Sequence, residues 1–190
     1  MPTQPRQRVK VLRADGDTLR DGIATIQKEL GVTPDFPAGV TAAAEKAAAN
    51  PRLPELDRTD IPFVTIDPEG AMDLDQALHL ERDGDGYTVH YAIADVAAWV
   101  QPGDPVDLEA HRRGETLYGA DSKVPLHPPL LSEGAASLLP DQEVPALLWT
   151  IKVDGTGEGT EVDVRRARVR SAAATPMTSA VEPCRGAMTS

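Results

Sequence analysis

Apolar residues recur along the chain at two different spacings, and the change of spacing divides it into zones. From Asp17 to Gly31, Leu19, Ile23, Ile26 and Leu30 stand four, three and four residues apart, the repeat of one helix face. Asp17 suits an N-cap and Gly31 a C-terminal stop. Beyond Pro34 and Pro37, the alanine-rich stretch Thr41 to Asn50 predicts a second short helix ending before Pro51. Pro51 to Pro62, with three prolines, reads as an extended connector. The spacing then shortens. Phe63 to Ile66 is a brief apolar run closed by Asp67, Pro68 and Gly70. Ala77–Glu81 and Tyr87–Val96 flank Asp83-Gly84-Asp85-Gly86, a hairpin signature. Trp149–Val153 and Val162–Val169 flank a second turn, Asp154 to Gly159. Between the hairpins Asp107 to Leu117 predicts a helix, and Pro125 to Pro140, with four prolines, an ordered loop. The last stretch, Ala172 to Ser190, has no periodicity and consists largely of Ala, Thr, Ser, Pro and Met, as disordered tails do. The fold class is α+β (mixed α/β), N-terminal helices followed by antiparallel hairpins.

Composition narrows this little. The chain has 190 residues, 41% of them hydrophobic, enough for one domain with its own core. No apolar run is long enough to span a bilayer, and no signal-peptide pattern opens the chain, so no membrane partner is expected. Cys184 stands alone and forms no internal disulfide, which fits a reducing compartment. The expectation is a soluble, cytoplasmic protein with no dedicated protein partner evident. A net charge of −11 argues at first against nucleic acid, because backbone-binding proteins carry a basic face. Acids gathered around a metal ion reverse that objection locally.

Such a gathering exists. Asp67, Glu69, Asp73 and Asp75 fall within nine positions. If Asp73 to Ala77 is extended, Asp73 and Asp75 share a face, since side chains alternate with period two. Pro68 and Gly70 permit a turn that returns Asp67 toward it. Carboxylates so close repel unless a cation lies among them, and oxygen ligands suit Mg²⁺ better than zinc. An isolated D-x-D is also common in solvated turns, and the spacing is not that of an EF-hand.

The stretch Arg58 to Arg170 resembles the ribonuclease II/ribonuclease R (RNB) exoribonuclease family in several blocks, in order. Phe63-Val64-Thr65-Ile66-Asp67 followed by Asp73-Leu74-Asp75 is similar to the family's catalytic signature. Tyr91-Ala92-Ile93-Ala94-Asp95-Val96 with Trp99-Val100, Arg113-Gly114-Glu115-Thr116-Leu117-Tyr118, Val124-Pro125-Leu126-His127-Pro128, and Leu131 to Leu138 follow. Colinear blocks are far more specific than one motif. The resemblance implies a partial RNB catalytic domain over 58–171, preceded by a helical extension and linker over 1–57 and followed by a non-family, disordered tail over 172–190. A reading-frame loss in the gene would account for that tail.

The implied activity is Mg²⁺-dependent (Mn²⁺ as an alternative) hydrolysis of single-stranded RNA from its 3′ end, releasing nucleoside monophosphates. Asp67, Asp73 and Asp75 would act as catalytic and metal-binding residues, with Gln76 at the family's fourth acidic position. That glutamine is a departure, because its amide oxygen ligates without adding charge. Tyr118 matches a family aromatic that stacks on an RNA base. Asp95 is expected to be structural, and Arg165, Arg166, Arg168 and Arg170 to be a solvated face or phosphate contacts. His79, His90, His111 and His127 have no ligand spacing. The family's catalytic domain continues beyond these blocks with a basic residue and further aromatics, so this chain alone is expected to show little exonuclease activity. Two alternatives are a non-catalytic RNA-binding or regulatory RNB-like protein and a plain acidic Mg²⁺- or Ca²⁺-binding domain.

Overall fold

Helix α1, Gly16–Glu29, forms where the four-three-four repeat lies, yet Leu19, Ile26 and Leu30 along that stripe are exposed. Helix α2, Ala38–Ala48, begins earlier than the alanine run suggested, because Pro37 at its N-cap is already set for entry. Its Val40 and Ala44 are buried. The computed structural model describes residues 16–119 and 122–176. The polar, basic start of the chain and positions 177–190 of the expected tail, Cys184 included, lie outside the described residues.

Strands β1 (Phe63–Asp67), β2 (Gln76–Asp83) and β3 (Gly86–Ala94) follow, with β2 and β3 joined by the two-residue turn Gly84-Asp85. Gly84 has φ 59°, a conformation that glycine adopts without a Cβ penalty. Helix α3 spans Pro105–Arg113, not Asp107–Leu117. Asp104 caps it by accepting from the backbone N–H groups of Val106 and Asp107, and Pro105 fits its first turn. Gly114, at φ 80°, ends it. Leu117–Tyr118 is therefore released to form β4, paired with β5 at Lys123–Val124. The proline-rich segment holds one π-helical turn, Leu131–Ala135. Strands β6 (Glu143–Val153) and β7 (Gly159–Pro176) form the second hairpin. Asp154 organises its turn by accepting from the N–H groups of Thr156 and Glu158.

The five long strands close into a barrel in the order β1-β2-β3-β6-β7. Closure depends on the length of β7. Its first part pairs antiparallel with β6 as far as Arg170, and its last part pairs parallel with β1, Phe63 opposite Ser171 and Asp67 opposite Pro176. This corrects the expectation that structure ends at Ala172, since the weakly patterned residues 172–176 continue the strand. Their backbone groups extend the ladder although their side chains carry no period, with Pro176 at the end lacking an N–H to give, and open edges are costly to leave. Small residues on the inward positions, Ala77, Ala92, Ala146 and Ala167, leave room for Phe63, Leu148 and Val169, all buried. No described helix is long and apolar enough to cross a membrane.

Candidate active site

The acidic segment leaves β1 through a turn in which Gly70 takes φ 82° and Ala71 N–H bonds Pro68 C=O at 3.1 Å. It then runs extended to β2. What fixes it is Leu74, which is 1% exposed and points into the core. Ser137, fully buried, receives Leu74 N–H on its Oγ at 2.9 Å and donates that hydroxyl to Met72 C=O at 2.6 Å. Leu138 N–H adds a bond to Leu74 C=O at 2.8 Å. With Leu74 inward, the alternation of an extended chain sends Asp73 and Asp75 to the opposite side. Each such bond stabilises by about 0.5–1.5 kcal/mol, but their chief effect is to lock the register of the two aspartates.

Asp73, Asp75 and Gln76 form a wall shared by two cavities. One, of about 390 Å³, reaches Tyr118, Lys123 and His127. The other, of about 230 Å³, reaches Asp67 and Tyr91. Asp75 is accessible to solvent, yet the surrounding protein displaces enough water to push its carboxyl above the ordinary range, and Asp73 and Asp67 add like-charge repulsion. Asp73 goes the other way. Lys123 donates to its Oδ2 at 3.0 Å, which holds the carboxyl below the usual range. The same ammonium reaches Glu133 Oε1 at 2.8 Å, and the two carboxylates raise the lysine's own pKa. Gln76 offers its amide oxygen to the Tyr91 hydroxyl. Tyr118, 76% exposed, stands on β4 at the rim of the larger cavity.

The structure thus brings all five sequence-derived residues to one region, with Asp67 on the far side of the carboxylate wall from Tyr118. Among the described residues, no three His, Cys, Asp or Glu side chains are grouped tightly enough to hold a metal ion between them. The donors are nevertheless all oxygens, and burial together with the neighbouring Asp73 and Asp67 disfavours the charged form of Asp75. That set fits a hard ion such as Mg²⁺, which takes one or two carboxylates and keeps several waters. Lys123, Glu133 and Ser137 escaped the sequence reading. Glu133 and Ser137 lie inside the Leu131–Leu138 block and Lys123 directly precedes the Val124–Pro128 block, but none of the three was given a role.

Other charged residues are accounted for. Asp95, 4% exposed, meets Arg166 Nε at 2.9 Å, so it is structural. Arg165 pairs with Asp163, and Arg168 with both Glu143 and Asp57. Glu109, buried on α3, receives Arg112 and Arg113, and these hydrogen bonds hold its pKa down at about 2. Arg113, its side chain 5% exposed, also donates to Thr33, Asp35 and Pro125 carbonyls and lies over the Phe36 ring at 3.8 Å. It ties α3, the segment before α2 and the loop after β5 together.

Comparison with known proteins agrees with this architecture. The family model described as the RNB domain matches residues 56–183. Ribonuclease R of Escherichia coli is 34% identical over 122 residues, covering 64% of this chain and 15% of that protein. Exoribonuclease 2 of Vibrio vulnificus is 35% identical over 137 residues, covering 71% of this chain and 20% of its own. This chain therefore spans 15–20% of the length of these curated relatives. The structure of Mycoplasma genitalium RNase R in complex with ribose-methylated single-stranded RNA superposes with a TM-score of 0.80 at 23% identity, covering 93% of this chain and 28% of that one. Yeast Ssd1, described as a pseudonuclease, superposes with a TM-score of 0.59 at 19% identity over 74% of this chain and 17% of that one.

Proposed function

The chain belongs to the RNB-domain family, and from that premise we propose that it carries part of the catalytic centre of a hydrolytic 3′-to-5′ exoribonuclease acting on single-stranded RNA. The observation that carries this is the pairing, across one cavity, of an under-compensated carboxylate, Asp75, with an exposed aromatic ring, Tyr118. The two supply what a sequence-tolerant nuclease needs, a hard-cation site and a stacking surface. Base stacking is worth about 1–3 kcal/mol and makes no demand on base identity. Asp67, Asp73 and Asp75 would hold Mg²⁺ or Mn²⁺, with Gln76 as a neutral oxygen donor. Bound there, the ion supplies Lewis-acid stabilisation of phosphate charge and lowers the pKa of the attacking water.

The chain's own residues orient the strand. Tyr118 holds the terminal base so that its phosphodiester lies toward Asp73 and Asp75. The Met72–Leu74 clamp keeps those carboxylates from drifting apart. Water then adds to phosphorus as the P–O3′ bond breaks, giving a nucleoside 5′-monophosphate and a shortened strand with a 3′-hydroxyl.

A second reading is a protein that binds RNA without cutting it. It is favoured by Gln76, whose amide oxygen is already engaged by Tyr91, and by the fold's use in a pseudonuclease. Single-stranded RNA labelled at the 3′ or the 5′ end, incubated with Mg²⁺ or EDTA, separates the two. The nuclease reading expects labelled mononucleotide from the 3′-labelled strand at the earliest times, and none in EDTA. Gel retardation without cleavage at any Mg²⁺ concentration overturns it in favour of the second.

A further inference from the structure

Lys123 is the one permanently cationic side chain among the described residues that line the larger cavity. Its neighbours there are Asp73, Asp75 and, by ion pair, Glu133, so an incoming phosphate otherwise meets only negative charge. The residue sits directly opposite Tyr118 in the antiparallel β4–β5 pair, Cα partner to Cα partner. Side chains at such positions share a face, with Cβ atoms about 4.5–5.5 Å apart. That is the scale on which the base and 5′-phosphate of one nucleotide are separated. Between Asp73 and Glu133 the ammonium is held at the cavity wall rather than free to sweep solvent, which limits the entropy lost when it binds a ligand.

We propose that the β4–β5 hairpin is a two-point nucleotide grip, in which Tyr118 stacks on the base and Lys123 binds the phosphate of the same nucleotide. The ligand class is a 5′-phosphorylated nucleoside unit, either free or as the terminal unit of an RNA strand. Glu133 keeps the ammonium at the wall while Asp73 releases it toward the phosphate. This rests on the RNA reading above and assigns Lys123 a role in it.

The test is fluorescence anisotropy of the whole chain with a short 5′-fluorescein oligoadenylate in EDTA, at several salt concentrations. Lys123→Met is expected to weaken binding on the order of tenfold and to reduce the salt slope by about 0.7, the value for one phosphate on a single strand. Tyr118→Ala should weaken binding and leave the slope unchanged. Lys123→Met combined with Glu133→Gln restores the net charge of the cavity. If Lys123 touches phosphate, this double variant stays weak. Recovery to wild-type affinity would mean that the lysine merely neutralises its acidic neighbours, and would overturn the proposal. The double variant also carries the test if Lys123→Met alone does not fold. Wild-type chain that fails to bind the oligonucleotide refutes the RNA reading itself. Wild-type binding with an unaltered slope in Lys123→Met refutes only the grip. Competition by adenosine 5′-monophosphate, but not by adenosine, identifies the free nucleotide as a ligand. Its absence, with a Lys123-dependent slope, assigns the grip to the strand terminus.

Discussion

Two carboxylates of this chain, Glu109 and Asp75, behave in opposite ways. Glu109 is buried on α3, and burial should favour its neutral form; instead its pKa falls to about 2. Asp75 is more open to water, and its pKa rises. The difference is in the partners. Glu109 meets two guanidinium groups, with Arg112 Nε and Arg113 Nε both at 2.8 Å. Asp75 is surrounded by Asp73 and Asp67, while the nearby Lys123 is committed to Asp73 and Glu133. Matched charge makes a frame. Under-compensated charge, its register fixed by the Ser137 clamp, is what the proposed cation site would require. Arg113 links the two, because its bond to the Pro125 carbonyl at 3.0 Å carries the frame into the loop beside Lys123.

The largest expected effect breaks the matched site. Arg113→Met removes a buried partner of Glu109 and leaves the carbonyls of Thr33, Asp35 and Pro125 without their donor. Loss of a buried partner of this kind costs about 3–5 kcal/mol. Urea denaturation should show it as a lower midpoint at unchanged slope. A loss no greater than that of an exposed arginine such as Arg165→Met would show that the Glu109 cluster is not the frame.

Next in size is Tyr118→Ala, which touches only the functional side. It should weaken single-stranded RNA binding by about 1–3 kcal/mol while leaving the melting temperature nearly unchanged, since the ring is exposed. A marked drop in melting temperature with RNA affinity intact would move Tyr118 to the structural side.

On the proposed metal site, adding Mg²⁺ is expected to sharpen the contrast by supplying a counter-charge. At ten times its Kd a ligand stabilises the folded state by about 1.4 kcal/mol. Differential scanning fluorimetry should show the corresponding rise in wild type and little in Asp75→Asn. Equal rises in both would argue that the ion binds elsewhere.

The smallest effect is the pH response, where the two sites have opposite signs. Glu109 has a depressed folded pKa, so its stabilisation is present above its ordinary value of 4.5 and is lost as pH falls toward about 2. Asp75 has a raised folded pKa, so its charged form destabilises the fold, and stability is lost as pH rises through that value. In metal-free buffer Asp75→Asn should therefore stabilise the chain at neutral pH, by less than about 1 kcal/mol because an accessible charge is screened. Glu109→Gln should instead destabilise it, and should flatten the acid limb of the stability curve. Destabilisation by Asp75→Asn at neutral pH would contradict the contrast.

The α+β class, both hairpins and the placing of Asp73 and Asp75 on one side of an extended segment were legible in the sequence, because each depends on neighbours within a few positions. Alternation with period two and a turn rich in Gly and Asp fix them without reference to distant residues. Barrel closure was not legible, nor was strand character in residues 172–176, since a strand of Ala and Thr is recruited by the unpaired edge of β1 rather than by its own pattern. The clamp on Leu74 comes from a serine 63 residues away, and the cation on Asp73 from a lysine 50 residues away. Tyr118 could be named from its block, but its partnership with Lys123 required β4 and β5 to pair. Sequence determined which groups carry charge and which backbone stretches are extended. Only the tertiary structure decided which charges are matched, because compensation depends on contacts between segments that no local period records.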